Sequence, residues 1–255
     1  MVFVASMGDL FHSDVDEKYI AKVIGICDLA RQHIFMILTK RPDRMRELFN
    51  DEDFQFHVGW FQSQAVREFG LEFDPANLGP WPFKNVWLGV TAENQARADE
   101  RIPILLQIPA AVRFISIEPC LGPVDLSYYL PKNPKKNCPE NILPYYNSHG
   151  LNWVICGSET GPGARPMHPD WVRSLRDQCQ EAGVPFFFKS WGEWMPSYQT
   201  GATFELSRLK IDEVVMSGPG HGVVMKKVGK KAAGRLLDGR EWNEFPEVRI
   251  CNQNK

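Results

Sequence analysis

Residues 151–165 have the sequence LNWVICGSETGPGAR. The apolar run 153–156 is typical of a buried strand, because apolar and β-branched residues occur together and turn residues follow at once. Three glycines then allow a sharp turn and a close approach to a ligand, while Ser158, Glu159 and Arg165 supply directional polar groups. Two interpretations stay open for this stretch alone: a ligand site at the end of a strand, or a Gly/Pro turn with solvated charges.

Five other stretches repeat the pattern of an apolar strand followed by polar residues. They are 2–5 before SMGD, 35–38 before TKR, 86–90 before TAEN, 113–117 before Glu-Pro, and 185–188 before KSWGE. Helical patterns alternate with them, which predicts parallel βαβ units with ligands at the carboxyl ends of the strands. Six such units favour a partial (β/α) barrel, although periodicity alone does not separate a barrel from an open doubly wound sheet. The first βα turn lacks G-x-G-x-x-G, which argues against dinucleotide binding.

The chain divides by composition into a partial barrel, residues 1–195, and a small C-terminal extension, residues 196–255. The barrel carries two predicted insertions, an aromatic-rich one at 50–85 with a short helix at 62–69, and a proline-rich loop or lid at 126–150. Pro103 is expected to end or kink the helix predicted at 95–107. The extension contains a basic cluster that either meets phosphate or forms a solvated face. Its members are Lys226, Lys227, Lys230, Lys231 and Arg235.

Composition and charge exclude several classes of protein. The 255 residues are 44% hydrophobic and 24% charged, with a formal net charge of -2, so nothing draws the whole molecule to nucleic acid or membrane. No apolar run approaches the roughly 20 residues needed to span a bilayer. The N-terminus lacks the zones of a signal peptide, which predicts a cytoplasmic protein.

The six cysteines are widely spaced and form no C-x-x-C pair, so the sequence predicts no metal site from local spacing. Cys27, Cys156 and Cys179 lie in apolar patterns and are interpreted as buried small hydrophobes. Cys120 follows Glu118-Pro119 at a strand end, where it faces either a pocket or the core.

Several polar residues at predicted strand ends and helix starts have two interpretations each. Asp9 and His12 form either an acid/base or metal pair or, as favoured, a cap or loop hydrogen bond. Lys40 and Arg41 precede a helix and suit an anion, or are surface charges. His168 is interpreted as part of the entry turn of a helix rather than as a catalyst.

Longer runs of the chain carry a family resemblance. VASMGDLFH, LTKRPDRM, VWLGVTAENQARADERIPILL, FISIEPCLGPVDL, WVICGSETGPGARPMHPDWVRSLRDQC, AGVPFFFKSWGEW and LLDGREWNEFP resemble an uncharacterised phage- and prophage-associated family named after phage gene products thirty-seven and sixty-eight. The resemblance covers nearly the whole chain outside the two insertions. This family is similar to radical S-adenosylmethionine enzymes, which implies a partial (β/α) barrel of that type. It also implies, in complete members, three closely spaced N-terminal cysteines that hold a four-iron four-sulfur cluster.

This sequence departs from the family at that motif. The cysteines would lie before Met1 together with a first strand, and none of the six present replaces them by spacing. Without three thiolates there is no cluster and no reductive cleavage of S-adenosylmethionine. We therefore expect either an N-terminally shortened product, which the incomplete first element favours, or a member that only binds.

By analogy with such barrels, the strand-end residues surround a nucleotide-like cofactor and a substrate. The catalytic candidates are Glu118, Glu159 and Lys189. The expected cofactor-binding residues are Asp9, Thr39, Lys40, Glu93, Asn94, Ser158, Glu159 and Arg165. The acidic residues suit ribose hydroxyls or an amino group, and the basic ones suit a carboxylate or phosphate.

Three functions follow, in order of preference. The first is a radical S-adenosylmethionine-like protein seen without its cluster, acting on a small molecule or nucleic acid in a phage context. The second is a metal-independent barrel hydrolase or lyase that would need a site carboxylate with a raised pKa. The third is a nucleic-acid-binding accessory protein that uses the basic cluster, with steeply salt-dependent binding. The sequence alone does not decide whether the chain is an enzyme.

Overall fold

A single parallel sheet organises the fold. The computed structural model describes residues 1–70, 81–131, 150–200, 213–217 and 222–247. Six strands lie side by side in the order in which they occur along the chain. They are β1 (Val2–Val4), β2 (Phe35–Thr39), β3 (Val86–Thr91), β4 (Val112–Ile117), β5 (Trp153–Gly157) and β6 (Phe186–Ser190).

The pairs β1–β2, β2–β3 and β5–β6 are parallel, as predicted. A strand order that follows the sequence lacks the reversal of a doubly wound sheet. The mixed α/β fold is therefore compatible with the predicted partial (β/α) barrel.

Helices connect the strands. They are α1 (Glu17–Leu29), α2 (Pro42–Asn50), α3 (Glu52–Phe69), α4 (Gln95–Leu105), α5 (Pro169–Ala182) and the single turn α6 (Lys230–Ala233). Asp16 caps α1 by accepting hydrogen bonds from the backbone of Lys18 and Tyr19, so α1 begins at Glu17. Pro103 lies inside α4, which continues to Leu105, so the proline does not end the helix at that residue; the alternative expectation of a kink stays a prediction.

The residues group into two compact units, of which the first comprises 1–90, 100–114 and 247–255. In this unit α1 packs against α3. The buried Gln62 donates a hydrogen bond to Asp28 at 2.9 Å, which joins the two helices by a polar contact inside an apolar layer. The 18-residue α3 corrects the prediction of a short helix at 62–69. Gly70, in a left-handed conformation with φ of 59°, ends it.

The second unit comprises 91–99 and 115–246. All five residues of β5 are buried, which explains its continuous apolar run. Helix α5 contributes Val172, Leu175 and Cys179 to the core. Gly183, in a left-handed conformation with φ of 70°, ends α5.

The C-terminal part of this unit contains two further sheets. Strands β7 (Trp194–Pro196), β8 (Glu213–Met216) and β9 (Val223–Lys227) form an antiparallel sheet in the order β7-β9-β8. Strands β10 (Leu236–Leu237) and β11 (Arg240–Glu241) form a hairpin. Residues 242–244 then bond to the backbone of β6 through Trp242 and Glu244. The expected domain boundary at 195 stays a prediction.

Most of the expected loop at 126–150 lies outside the described residues, which resume at Gly150. Among the described residues, the helices are too short or too polar to cross a membrane. The cytoplasmic location stays a prediction.

Candidate functional site

Asp9 organises the strand ends of the first unit. Its Oδ1 accepts hydrogen bonds from Thr39 Oγ1 at 2.8 Å and from the Phe11 backbone at 2.9 Å. Its Oδ2 accepts from the Lys40 backbone at 3.2 Å and from Arg41 Nη1 at 2.8 Å. Burial acts to raise the pKa of Asp9, but these hydrogen bonds outweigh it and hold the pKa below its ordinary value. The carboxylate is therefore ionised at neutral pH and ties the end of β2 to the turn after β1.

The side chains of His12 and Asp9 have different hydrogen-bond partners. His12 Nδ1 accepts a hydrogen bond from the Asp14 backbone at 3.3 Å, and the His12 backbone bonds to the Asp9 carbonyl at 3.0 Å. Both are turn contacts, in agreement with the favoured interpretation. Thr39 and the Lys40 backbone meet at Asp9 as expected for neighbouring strand ends.

Glu118 and Lys189 form an ion pair in the second unit. Lys189 Nζ lies 2.8 Å from Glu118 Oε1 and 2.9 Å from Oε2. Lys189 belongs to β6, and Glu118 follows the last residue of β4. The side chains are 54% and 25% exposed respectively, so the pair is open to solvent and to a ligand.

Gly157, the last residue of β5, makes room for this pair. A Cβ atom at Gly157 would lie 3.3 Å from Glu118 Cδ, a tight approach. Since β5 lies between β4 and β6 in the sheet, the ion pair joins two strands that are not neighbours. Cys120 is buried beside it, with its backbone bonded to the Gly157 carbonyl at 2.9 Å, and does not face solvent.

Glu159 and Arg165 close the polar turn that follows β5. Arg165 donates to Glu159 Oε2 from its backbone at 2.8 Å and from Nε at 2.9 Å, and its Nη2 bonds to Oε1. These hydrogen bonds lower the pKa of Glu159 to about 2. Ser158 is buried, and its Oγ lies 3.4 Å from the Arg165 carbonyl. Ser158, Glu159 and Arg165 therefore lie together, and these hydrogen bonds join them to one another.

Asn94 has a structural contact at the start of α4. Its Oδ1 accepts a hydrogen bond from the Arg97 backbone at 3.1 Å, as a helix cap does. The neighbouring Glu93 accepts a bond from the Leu121 backbone through its carbonyl at 2.9 Å. These contacts leave the roles predicted for both side chains untested.

The described cysteines are buried thiols. Burial raises the pKa of Cys27 to about 12 and raises the pKa of Cys156 and Cys179 as well, which disfavours the thiolate that metals bind. Within the described ranges no three His, Cys, Asp or Glu side chains lie together in a group able to hold a metal. The residues described therefore do not fit an iron-sulfur cluster.

His168 is the cap of α5, as its interpretation as an entry-turn residue predicts. Its Nδ1 accepts a hydrogen bond from the Asp170 backbone at 3.1 Å. Burial lowers its pKa, so the ring is neutral at physiological pH.

Three residues that the sequence did not connect with the polar turn contact it. Glu193 bonds to the backbone of Gly161, Trp194 to Ala164 and Lys227 to Pro162. Lys227 had been grouped with the basic cluster, and its contact joins residues 65 positions apart, so no local signal marks it.

Comparison with known proteins gives one match. A family model described as a protein of unknown function, DUF5131, matches residues 1–246. Neither the curated proteins nor the solved structures contain a significant match.

Proposed function

Because the chain belongs to the DUF5131 family of proteins of unknown function, we propose from its geometry that it binds a small zwitterionic ligand at the Glu118–Lys189 pair, with S-adenosylmethionine as the first candidate. One observation carries the proposal: an exposed ammonium and a half-buried carboxylate lie 2.8 Å apart at the carboxyl ends of parallel strands. Ligands of α/β sheets bind at these ends.

The chemistry of the pair suits an amino acid group. An ion pair this open to solvent contributes about 0–1 kcal/mol, so a ligand that separates it sacrifices little. The ammonium of the ligand would bond to Glu118 and its carboxylate to Lys189. Each charge-assisted hydrogen bond contributes about 1.5–3 kcal/mol.

The other acidic candidates have less to offer a ligand. The Asp9 oxygens accept four hydrogen bonds, and those of Glu159 accept three from Arg165. A ligand at Asp9 or Glu159 would therefore have to replace several hydrogen bonds at once. Glu118 is the acid with a single, exchangeable partner among the three.

The radical S-adenosylmethionine-like activity and the phage context extend this proposal by resemblance alone. No cluster ligands occur in the described residues, so binding is the step that we assign to this chain. The cofactor would be held by the charged strand-end residues, and its substrate stays undefined.

The alternative of a metal-independent hydrolase or lyase receives less support. It needs a carboxyl group that exchanges protons near neutral pH, whereas the pKa of Glu159 is about 2. The alternative of nucleic-acid binding is weakened by Lys227, whose ammonium already bonds to Pro162.

Calorimetric titration with S-adenosylmethionine tests the proposal. We expect Lys189→Met and Glu118→Gln each to weaken binding by about tenfold or more, because each removes a charged partner and keeps the side-chain size. Lys22→Met, an exposed site on α1, is the matched control and should leave the affinity unchanged. Free methionine should bind by the same pair, whereas adenosine should be insensitive to both variants.

The proposal fails if the native chain binds neither S-adenosylmethionine nor methionine. It fails equally if both variants bind them as tightly as the native chain.

A further inference from the structure

The residues 158–165, which we call the strand-end loop, are attached to the antiparallel sheet that follows β6. Trp194 Nε1 on β7 donates a hydrogen bond to the Ala164 carbonyl at 2.7 Å. Lys227 Nζ on β9 donates to the Pro162 carbonyl at 2.7 Å and lies 5.9 Å from the centre of the Trp194 ring. Two strands of the sheet therefore contact one side of the loop.

Glu193 supplies two further bonds to the strand-end loop. Its Oε1 accepts from the Gly161 backbone at 3.1 Å, and its own backbone donates to the Glu159 carbonyl at 3.3 Å. The Glu193 carbonyl in turn accepts from Val228 and Gly229 at 3.0 and 3.1 Å, directly after β9. The same residue thus joins the loop to the sheet.

We propose that this antiparallel sheet positions the strand-end loop, with Lys227 and Glu193 as positioning residues for the ligand site. The identity of the ligand in this inference rests on the proposed function, whereas the attachment of the loop to the sheet does not. The loop contains Gly161, Pro162 and Gly163 and belongs to no helix or strand. Four of its backbone groups bond to residues of β7 and β9 or just before β7, so its conformation depends on them.

Fixing the Lys227 side chain in one geometry costs conformational entropy that a freely moving surface lysine keeps. A lysine side chain loses up to about 2 kcal/mol of conformational entropy when it is fixed in one geometry. Stacking of the ammonium near Trp194 and the bond to Pro162 offset this loss. The strand-end loop follows directly on Gly157, which borders Glu118, so a loop already held in one conformation keeps this edge of the ligand site ordered before a ligand binds.

Lys226 offers a matched comparison. It adjoins Lys227 on β9, and successive strand residues point to opposite faces. Its ammonium lies 4.0 Å from Glu213. Lys226→Met and Lys227→Met therefore change the charge of the molecule equally, but only the second removes a bond to the strand-end loop.

Backbone amide exchange, measured by NMR on the full chain, tests the positioning directly. In Lys227→Met we expect exchange at Gly161 and Arg165 to accelerate by about tenfold, while Val154 in β5 keeps its native rate. Lys226→Met should match the native protein at all three amides. Lys227→Arg should restore slow exchange, because its guanidinium still reaches a carbonyl and stacks on an aromatic ring.

Titration of the same proteins with S-adenosylmethionine separates the two proposals. Weaker binding by Lys227→Met alone, together with faster loop exchange, supports both. Faster loop exchange in a chain whose native form binds no ligand supports the positioning role and overturns the proposed ligand. Unchanged exchange at Gly161 and Arg165 in Lys227→Met overturns the positioning role, whatever the ligand does.

Discussion

Gly192 has the least space of any glycine near the strand-end loop. Its φ is 67°, and a Cβ atom there would lie 1.9 Å from the Glu159 carbonyl oxygen. The left-handed backbone and the lack of space both favour glycine at this position. The chain turns sharply here, directly before the Glu193 backbone bonds to the Glu159 carbonyl.

Gly192→Ala should therefore destabilise the protein by at least about 1–3 kcal/mol, the usual cost of a strained backbone conformation. Thermal denaturation followed by circular dichroism measures the effect. Gly163→Ala is the control, since no atom lies within 4 Å of its Cβ position and its φ is not positive. Equal melting temperatures for the two variants would contradict the packing described.

The pKa of Glu159, the one carboxyl group of the strand-end loop, should lie well below the ordinary glutamate value. We expect its side-chain carbon resonance to titrate at about 2 and, in Arg165→Gln, to return toward the ordinary value of 4.5. Because the pKa is depressed in the folded state, its stabilising contribution is present above pH 4.5 and is lost as the pH falls toward 2.

Arg240→Gln is the control for this titration, since the Arg240 guanidinium pairs with Glu244 at 3.7 Å. If the pKa of Glu159 in Arg165→Gln equals that in the native protein, the arginine side chain is not the cause of the low pKa.

At the scale of elements, Asp238 ties the β10–β11 hairpin to α5. Its carboxylate accepts from Arg173 Nη2 and Arg176 Nη1, each at 2.7 Å. The residue has a φ of 53° and precedes Gly239, the Asp-Gly pair that favours a two-residue hairpin turn. One aspartate thus shapes the turn and fixes it to the helix.

Asp238→Asn should keep the turn, because asparagine tolerates a positive φ, and lose about 1 kcal/mol of stability through the weaker bonds to the arginines. The bonds to Arg173 lower the pKa of Asp238, so its contribution is present at neutral pH and lost in acid. Melting temperatures of variant and native protein should differ at pH 7 and converge as the pH falls through the lowered pKa of Asp238.

Asp43→Asn is the matched control for this variant. Its carboxylate is 64% exposed, lies 3.4 Å from Arg46 and belongs to the first turn of α2, so its loss should cost less stability than the loss at Asp238. A difference between Asp238→Asn and native protein that does not shrink as the pH falls would contradict the charge-based explanation.

For most elements of the fold, the local sequence pattern was enough to predict the type of element. The six strands were found because each apolar run ends in turn residues, a signal contained within a few positions. Only the second half of helix α3 was predicted, because the apolar residues of the first half do not lie on one face. Phe54 and Val58 are buried, whereas Phe56 and Trp60 are exposed. The exposed aromatic side chains obscure the amphipathic pattern of this half.

At the scale of the whole molecule, the sequence predicted which residues stand at strand ends but not which of them are already bonded. Asp9 and Glu159 looked equivalent to Glu118 as polar residues after a strand. The structure separates them by their donors, since Asp9 and Glu159 are enclosed by partners and Glu118 meets the exposed Lys189. Such pairing depends on the tertiary arrangement of strands, which spacing along the chain does not encode.

Residues 242–244, which follow β11, affect whether a second molecule can pair with β6. Phe188 donates from its backbone to the Trp242 carbonyl at 2.9 Å, and Glu244 donates to the Phe186 carbonyl at 3.2 Å. These bonds occupy backbone groups along β6 that a strand from a second molecule would otherwise use. An incoming strand must first displace a segment that Trp153 also holds by a 2.9 Å bond to the Glu244 carbonyl. The chain's own backbone therefore blocks, at β6, the route by which open strands seed aggregates.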